Sequence, residues 1–291
     1  MALWAGNFIV VKGAIGIVPP VAFTFLRFAM AAATLLVLLR WREGAIRLPH
    51  GDVLRIAALG IIGFGFYQLI WTVALQTIPA GDSALLIAAS PVITALLAMA
   101  MGADLASPVK ILGALVSFVG VALVIAAGQG LDLGVSLAGD LLTLGAAACW
   151  AVYTVFGADT LRRHSPLLAT TWAIVFGTLI MAPVGIAQLL TVDLAVIGPP
   201  VVLAVVYAGT LAAGVSNVVV FNGLKLLGPT RVAAFQFLVP ALAVVLAALF
   251  LGEAIRPGQV LGGVVILAGV ALIRRGTWSR GATPRERRAV R

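Results

Sequence analysis

Arg27 lies about seven residues inside an apolar run that opens at Pro20, roughly 10 Å along a helix that rises 1.5 Å per residue. A charge held that deep in apolar surroundings is costly and therefore informative. The guanidinium could be the counter-ion of a substrate carboxylate or of a neighbouring helix C-terminus, or it could snorkel back to the outer interface. Lys12, in the outer third of the first apolar run, has the same two readings, with snorkelling the expected one. Tyr67, Gln68, Trp71 and Thr72 fall together in the third run, Ser216 and Asn217 with Tyr207 and Asn222 in the eighth. The first run adds Trp4 and Asn7, the sixth Trp150, Tyr153 and Thr154, and the ninth Gln236. Aromatic faces can stack on an aromatic or cationic ligand, and amides can hold its polar ends. The alternatives need no ligand: Trp4, Trp41 and Trp278 suit an interfacial belt, and Gln68, Asn217 and Gln236 could hydrogen-bond between helices. The candidate substrate-binding set is Asn7, Arg27, Tyr67, Gln68, Trp71, Trp150, Tyr153, Ser216, Asn217 and Gln236.

Catalysis finds no such support. His50 and His164 fall in loops, and no carboxylate pair, metal-ligand spacing or nucleotide loop stands out. Cys149 has no second cysteine for a disulfide or a metal site and reads as a packing residue. Neither a cofactor nor a metal is expected. An intramembrane enzyme and a channel are the other classes to weigh; hydrolysis by purified protein would favour the first, ohmic rather than saturable flux the second.

The elements that must position these residues follow from composition. The chain is 62% hydrophobic and 10% charged, with mean hydropathy +1.16, whereas a soluble domain carries roughly 25% charged residues. Spans of about 20 residues are expected near 2–18, 20–40, 53–77, 81–102, 108–127, 137–159, 165–190, 199–225, 229–251 and 257–275. The first begins at once, without a basic n-region or a cleavage site, so it is expected to stay rather than be removed as a signal peptide. The net charge of +9 does not gather into a nucleic-acid patch. With the N-terminus inside, Arg40, Arg42, Arg47, Arg55, Arg162, Arg163, Lys225, Arg231 and the tail from Arg274 to Arg291 all collect on the cytoplasmic side. Asp82, Asp132, Asp140, Asp193 and Glu253 then lie outside. Both termini are expected to be cytoplasmic.

A shift of 149 residues brings Gly60 onto Gly209, Gly65 onto Gly214, Leu75 onto Leu224, Pro91 onto Pro240 and Pro108 onto Pro257. Gly113 falls on Gly262, Gly120 on Gly269 and Asp104 on Glu253, while a shift of 146 matches Trp4 with Trp150 and Pro20 with Pro166. The same register sets Tyr67 and Gln68 against Ser216 and Asn217. Each copy holds five spans, and an odd number inverts the second copy, the plan of many secondary transporters with substrate near the midplane. The expected division is a first repeat over 1–130, a second over 136–275 and a basic tail over 276–291. Pro91 and Pro240 each remove a backbone hydrogen bond near mid-helix, which makes them hinge candidates. The small residues of the fifth and tenth spans read as scaffold.

The segments LWAGNF, FLRFAMAA, SPVITALLAM and PALAVVLAALFLGE resemble the EamA family of the drug/metabolite transporter superfamily. The resemblance covers the full length. It implies an all-α integral membrane fold of ten transmembrane helices, as two inverted five-helix repeats around a central cavity, in the bacterial cytoplasmic (inner) membrane. It also implies export of amino acids, related metabolites or toxic organic compounds, including by an aromatic amino acid branch. Asp104 departs from the Glu expected at its place, whereas Glu253 keeps it. The expected function is secondary export of amino acids or small metabolites by alternating access, with multidrug or organic-cation export the runner-up. A small-molecule substrate and the lipid bilayer are the expected partners, nucleic acid is not, and a monomer encloses the pathway.

Overall fold

The computed structural model describes residues 1–44, 46–102, 104–128, 133–193, 197–220, 235–236 and 238–281. Among these there is no strand. The helices are α1 (Ala2–Ala14), α2 (Pro20–Glu43), α3 (His50–Ala74), α4 (Ala80–Ala100) and α5 (Pro108–Gly128). There follow α6 (Leu133–Arg163), α7 (Pro166–Leu189), α8 (Pro199–Val220), α9 (Leu238–Leu251) and α10 (Pro257–Gly281). Proline opens α2, α5, α7, α8 and α10, where its missing N–H would have had no partner in any case.

Among the described residues eight segments are long and apolar enough to cross a membrane, while Ala2–Ala14 and Leu238–Leu251 are shorter. Their outward faces are oily: Leu115 is 60% exposed and Leu249 and Phe250 are 72% exposed. A water-facing monomer rarely shows contiguous apolar surface on this scale. The protein is a multi-pass membrane protein.

Helices pair in a recurrent pattern. α1 packs on α9 and α6 on α4; α2 packs on α8 and α7 on α3. The closest pair is α5 with α10, and glycine makes it possible. A Cβ placed on Gly113 would lie 2.7 Å from the Gly269 carbonyl oxygen, and one on Gly120 would lie 2.7 Å from that of Gly262. Since Gly113 faces Gly269 and Gly120 faces Gly262, the two helices run antiparallel. Ser117 Oγ donates to the Ile266 carbonyl at 3.1 Å between them.

Two deviations matter for the cavity. α3 contains a π-helical stretch over Ile61–Phe66 and α8 one over Tyr207–Val215. α4 breaks at Ala88 and Ala89, between helical segments Ala80–Ile87 and Ser90–Ala100, just ahead of Pro91. An exposed ion pair joins α3 to α6 at the end where α3 begins, Arg55 to Asp159 at 2.7 Å, and just beyond α6 His164 Nε2 lies in hydrogen-bond contact with Asp52 Oδ2 at 2.7 Å. An exposed pair such as Arg55–Asp159 is worth about 0–1 kcal/mol.

Candidate functional site

A π turn carries one residue more than an α turn, so it shifts which side chains face inward, and such stretches gather at functional sites. Phe64 lies within the α3 stretch, Tyr67 and Gln68 follow it directly, and Ser216 and Asn217 follow that of α8. At this level, between α1, α2, α3, α4, α6, α8, α9 and α10, lies a cavity of about 270 Å³. That is near the lower end of small-molecule sites, roughly 300 Å³.

Arg27 is 1% exposed and cannot reach an interface, so it does not snorkel. Its Nη2 donates to Gln68 Oε1 at 2.6 Å and its Nη1 to Asn7 Oδ1 at 3.4 Å. Nε has no partner among the described residues. The guanidinium carbon stands 4.9 Å from the Phe28 ring centroid and 5.4 Å from that of Trp71. Two amides and two aromatic faces thus hold a buried cation, and no carboxylate is within salt-bridge distance of it among the described residues. Trp71 is fixed by its own Nε1, which donates to Ser83 Oγ at 3.0 Å. Gln68 is braced through its carbonyl, which accepts from Thr72 Oγ1 at 2.7 Å, while Thr24 Oγ1 donates to Thr72 Oγ1 at 2.9 Å.

The walls carry Trp4, Phe8, Phe28, Phe64, Tyr67, Trp71 and Trp150, and among the described residues the charged ones that line it are Arg27 and Arg274, both positive. No acid is among the lining residues that the structure describes.

The sequence profile of the EamA-like transporter family matches residues 1–126 and again 137–275. The chain belongs to the EamA-like transporter family. A protein of Archaeoglobus fulgidus described as an uncharacterized transporter is 30% identical, over 94% of this chain and 93% of its own length. A probable amino-acid metabolite efflux pump of Salmonella typhimurium is 26% identical, over 93% of this chain and 90% of its own. A solved crystal structure with 22% identity and a TM-score of 0.68, covering 96% of this chain and 95% of that one, shares the fold. Family members are transporters, not enzymes.

Of the EamA-like chain's candidate binding residues, Asn7, Arg27, Tyr67, Gln68, Trp71, Trp150, Asn217 and Gln236 line the cavity. Pro91 and Pro240 line it as well. Tyr153 stands behind the wall, its ring 5.2 Å from Trp150 and 5.1 Å from Phe64. Ser216 is not among the lining residues; its Oγ donates to the Leu211 carbonyl at 2.9 Å, inside the π stretch. Trp4 leaves the expected belt: it lines the cavity, with Nε1 donating to the Ala212 carbonyl at 3.1 Å. Nor does Lys12 snorkel. Its Nζ donates to the carbonyls of Leu75 at 2.5 Å and Ile78 at 2.8 Å, where α3 ends. Asp104 and Glu253 do different work: Asp104 pairs with Lys110 at 2.7 Å, whereas Glu253 accepts from the N–H groups of Ala80 at 2.7 Å and Gly81 at 3.0 Å. Asn222, Leu224, Lys225, Arg231, Asp132 and the Trp278 side chain lie outside the described residues.

Sequence reasoning missed Phe8, Phe28, Phe64 and Arg274 as lining residues. Helical spacing held a signal for two of them. Phe8 shares a face with Trp4 and Asn7, and Phe64 shares one with Tyr67, Gln68 and Trp71. Arg274, set aside with the basic tail, lies one heptad beyond the lining residue Leu267.

Proposed function

We propose that this chain is a secondary transporter that exports an amino acid or a related small carboxylate-bearing metabolite across the bacterial inner membrane by alternating access. The observation that carries the reading is a buried guanidinium with no carboxylate partner among the described residues, inside a cavity lined by aromatic rings and by no acid among those residues. A substrate carboxylate would complete the charge of Arg27, amides of Asn7, Gln68, Asn217 and Gln236 would receive its polar groups, and Tyr67, Trp71 and Trp150 would cover its apolar body. The amino-acid metabolite assignment carried by the Salmonella relative supports the same class. An organic cation would call for an acid in the lining, so drug export has the weaker case.

The eight long helices and two shorter ones make ten spans in this reading. They form two inverted repeats, 1–130 and 136–275, followed by the tail 276–291. Matched pairings of α1 with α9 and α6 with α4, the antiparallel α5 and α10, and π stretches at corresponding places in α3 and α8 all support a pseudo-two-fold between the halves. The α4 break before Pro91, with Pro240 at its counterpart in α9, supplies the hinges. Both termini face the cytoplasm, as the arginine distribution requires, and one chain is the working unit.

The test is uptake into proteoliposomes of labelled phenylalanine, labelled leucine and a cationic dye, for the parent, Arg27→Ala and Gln68→Ala. Saturable amino acid flux that drops at least about tenfold in Arg27→Ala is expected, since a charge-assisted contact is worth about 1.5–3 kcal/mol. Flux of the dye alone, or amino acid flux unchanged in a folded Arg27→Ala, overturns the assignment.

A further inference from the structure

A helix leaves its last carbonyls and its first N–H groups without partners inside the helix. Between α3 and α4 both kinds fall in one short turn, and two side chains of opposite charge take them. Lys12, from α1, donates to the carbonyls of Leu75 at 2.5 Å and Ile78 at 2.8 Å. Glu253, just past α9, accepts from the N–H groups of Ala80 at 2.7 Å and Gly81 at 3.0 Å, one on each carboxylate oxygen. The cation at the end of one helix and the anion at the start of the next both sit where the helix dipole favours them. Both side chains come from outside the α3–α4 hairpin, from the ends of α1 and α9, which pack on each other and line the cavity beside α3 and α4.

The loop that carries Glu253 is well anchored. Arg256 Nη1 donates to the Ala127 carbonyl at 3.1 Å, which ties that loop to α5, and the Arg256 N–H donates to Gln259 Oε1 at 3.3 Å. What Glu253 holds is less firmly joined to its own helix. Ala80–Ile87 is set off from the rest of α4 by the break at Ala88 and Ala89, ahead of Pro91, and a helix bends at such a break. The segment packs on α1, α9 and α6. With Ile15, Val18, Leu75 and Ala247, its Ala80 and Ala84 belong to one buried apolar cluster, which plugs this end of the cavity. The lining continues the other way, as far as Arg274 in the last third of α10.

We propose that Lys12 and Glu253 form a two-sided latch that shuts the cavity at the α3–α4 turn, and that its release lets Ala80–Ile87 swing about the Ala88–Ala89 break. The segment carries Ser83, whose Oγ accepts from Trp71 Nε1 at 3.0 Å. Trp71 in turn covers Arg27, with its ring centroid 5.4 Å from the guanidinium carbon. Phe8, one turn before Lys12 on α1, meets the same indole edge-on at 5.3 Å between centroids. Release of the latch therefore loosens the aromatic cover of Arg27 from the plugged side. That this side is the outer one, and that its opening discharges substrate, rests on the transporter reading; the latch itself does not.

The test needs no substrate. The full chain in detergent, with Cys149→Ala to remove the native thiol, carries Ala84→Cys in the segment or Ala31→Cys as a reference. Both alanines are buried, at 2% and 0% exposure, and Ala31 belongs to a different apolar cluster. Labelling by a water-soluble maleimide reports how often each site opens. Glu253→Ala and Lys12→Met are each expected to speed labelling at position 84 at least about tenfold, since each removes two charge-assisted bonds, and to leave position 31 as it was. Unchanged labelling at position 84 in either variant overturns the latch, and so does an equal rise at position 31, which would mean general loosening. Should either variant fail to fold, Glu253→Gln, which keeps an amide oxygen for one N–H, decides: faster labelling at position 84 alone supports the latch, and labelling like the parent refutes it. Absence of amino acid flux in the uptake assay would strike the transporter reading alone.

Discussion

Arg27 Nη2 donates to Gln68 Oε1 at 2.6 Å, across from α2 to α3, and this bond aims a buried guanidinium of the cavity. One turn on in α3, Thr72 Oγ1 donates to the backbone carbonyl of Gln68 at 2.7 Å. The orientation of the cation therefore depends on a neutral residue that carries no charge to the substrate.

Gln68→Leu should leave Arg27 with only the longer Asn7 contact of 3.4 Å. A net hydrogen bond is worth about 1 kcal/mol, so the KM for a transported amino acid should rise about fivefold with kcat little changed. A kcat effect without a KM effect would place Gln68 in the conformational step instead.

Gly113→Leu and Gly269→Val should each destabilise the α5–α10 pair by about 1–3 kcal/mol or more, because backbone atoms, which cannot move aside, share the space with the Ile273 and Ser117 side chains. Gly145→Ala is the control: no atom lies within 4 Å of its added Cβ, and alanine favours the helix by up to about 1 kcal/mol. Unfolding midpoints in detergent should fall for the first two and hold or rise for the third.

Lys12→Met removes the donor to two carbonyls, and Glu253→Gln weakens the acceptor of two N–H groups on the same turn. Charge-assisted bonds lost in this way cost about 1.5–3 kcal/mol each. Since both variants loosen one turn, the double variant should be less destabilised than the sum of the singles. Strict additivity would mean that the two ends of the turn act independently.

Cysteines placed at Gln68 and Asn217 should change accessibility together when substrate is added, as one cavity alternates between sides. Labelling of either from both sides at once would favour a channel. A periplasm-active reporter fused after Arg291 should stay silent, and activity there would overturn the proposed topology.

Much of this was legible in the sequence because lipid imposes simple rules. Long apolar runs must become helices, since no water is present to satisfy a bare backbone, and the runs at 20–40, 108–127 and 165–190 agree with α2, α5 and α7. Fixed spacing exposed Gly113 with Gly262 and Gly120 with Gly269 as matched positions. What spacing cannot say is which copy meets which: only packing put Gly113 against Gly269 and Gly120 against Gly262. The same limit governs the charges. Arg27 was visible as a deep cation, but that amides rather than acids surround it depends on α1 and α3 arriving beside α2. Asp82 and Asp140 stand 58 residues apart and read only as acids of the outer side until packing of α4 and α6 buries each of them. Composition determined the solvent and the helices; the contacts between distant helices decided where charge is left uncompensated, and with it where chemistry can happen.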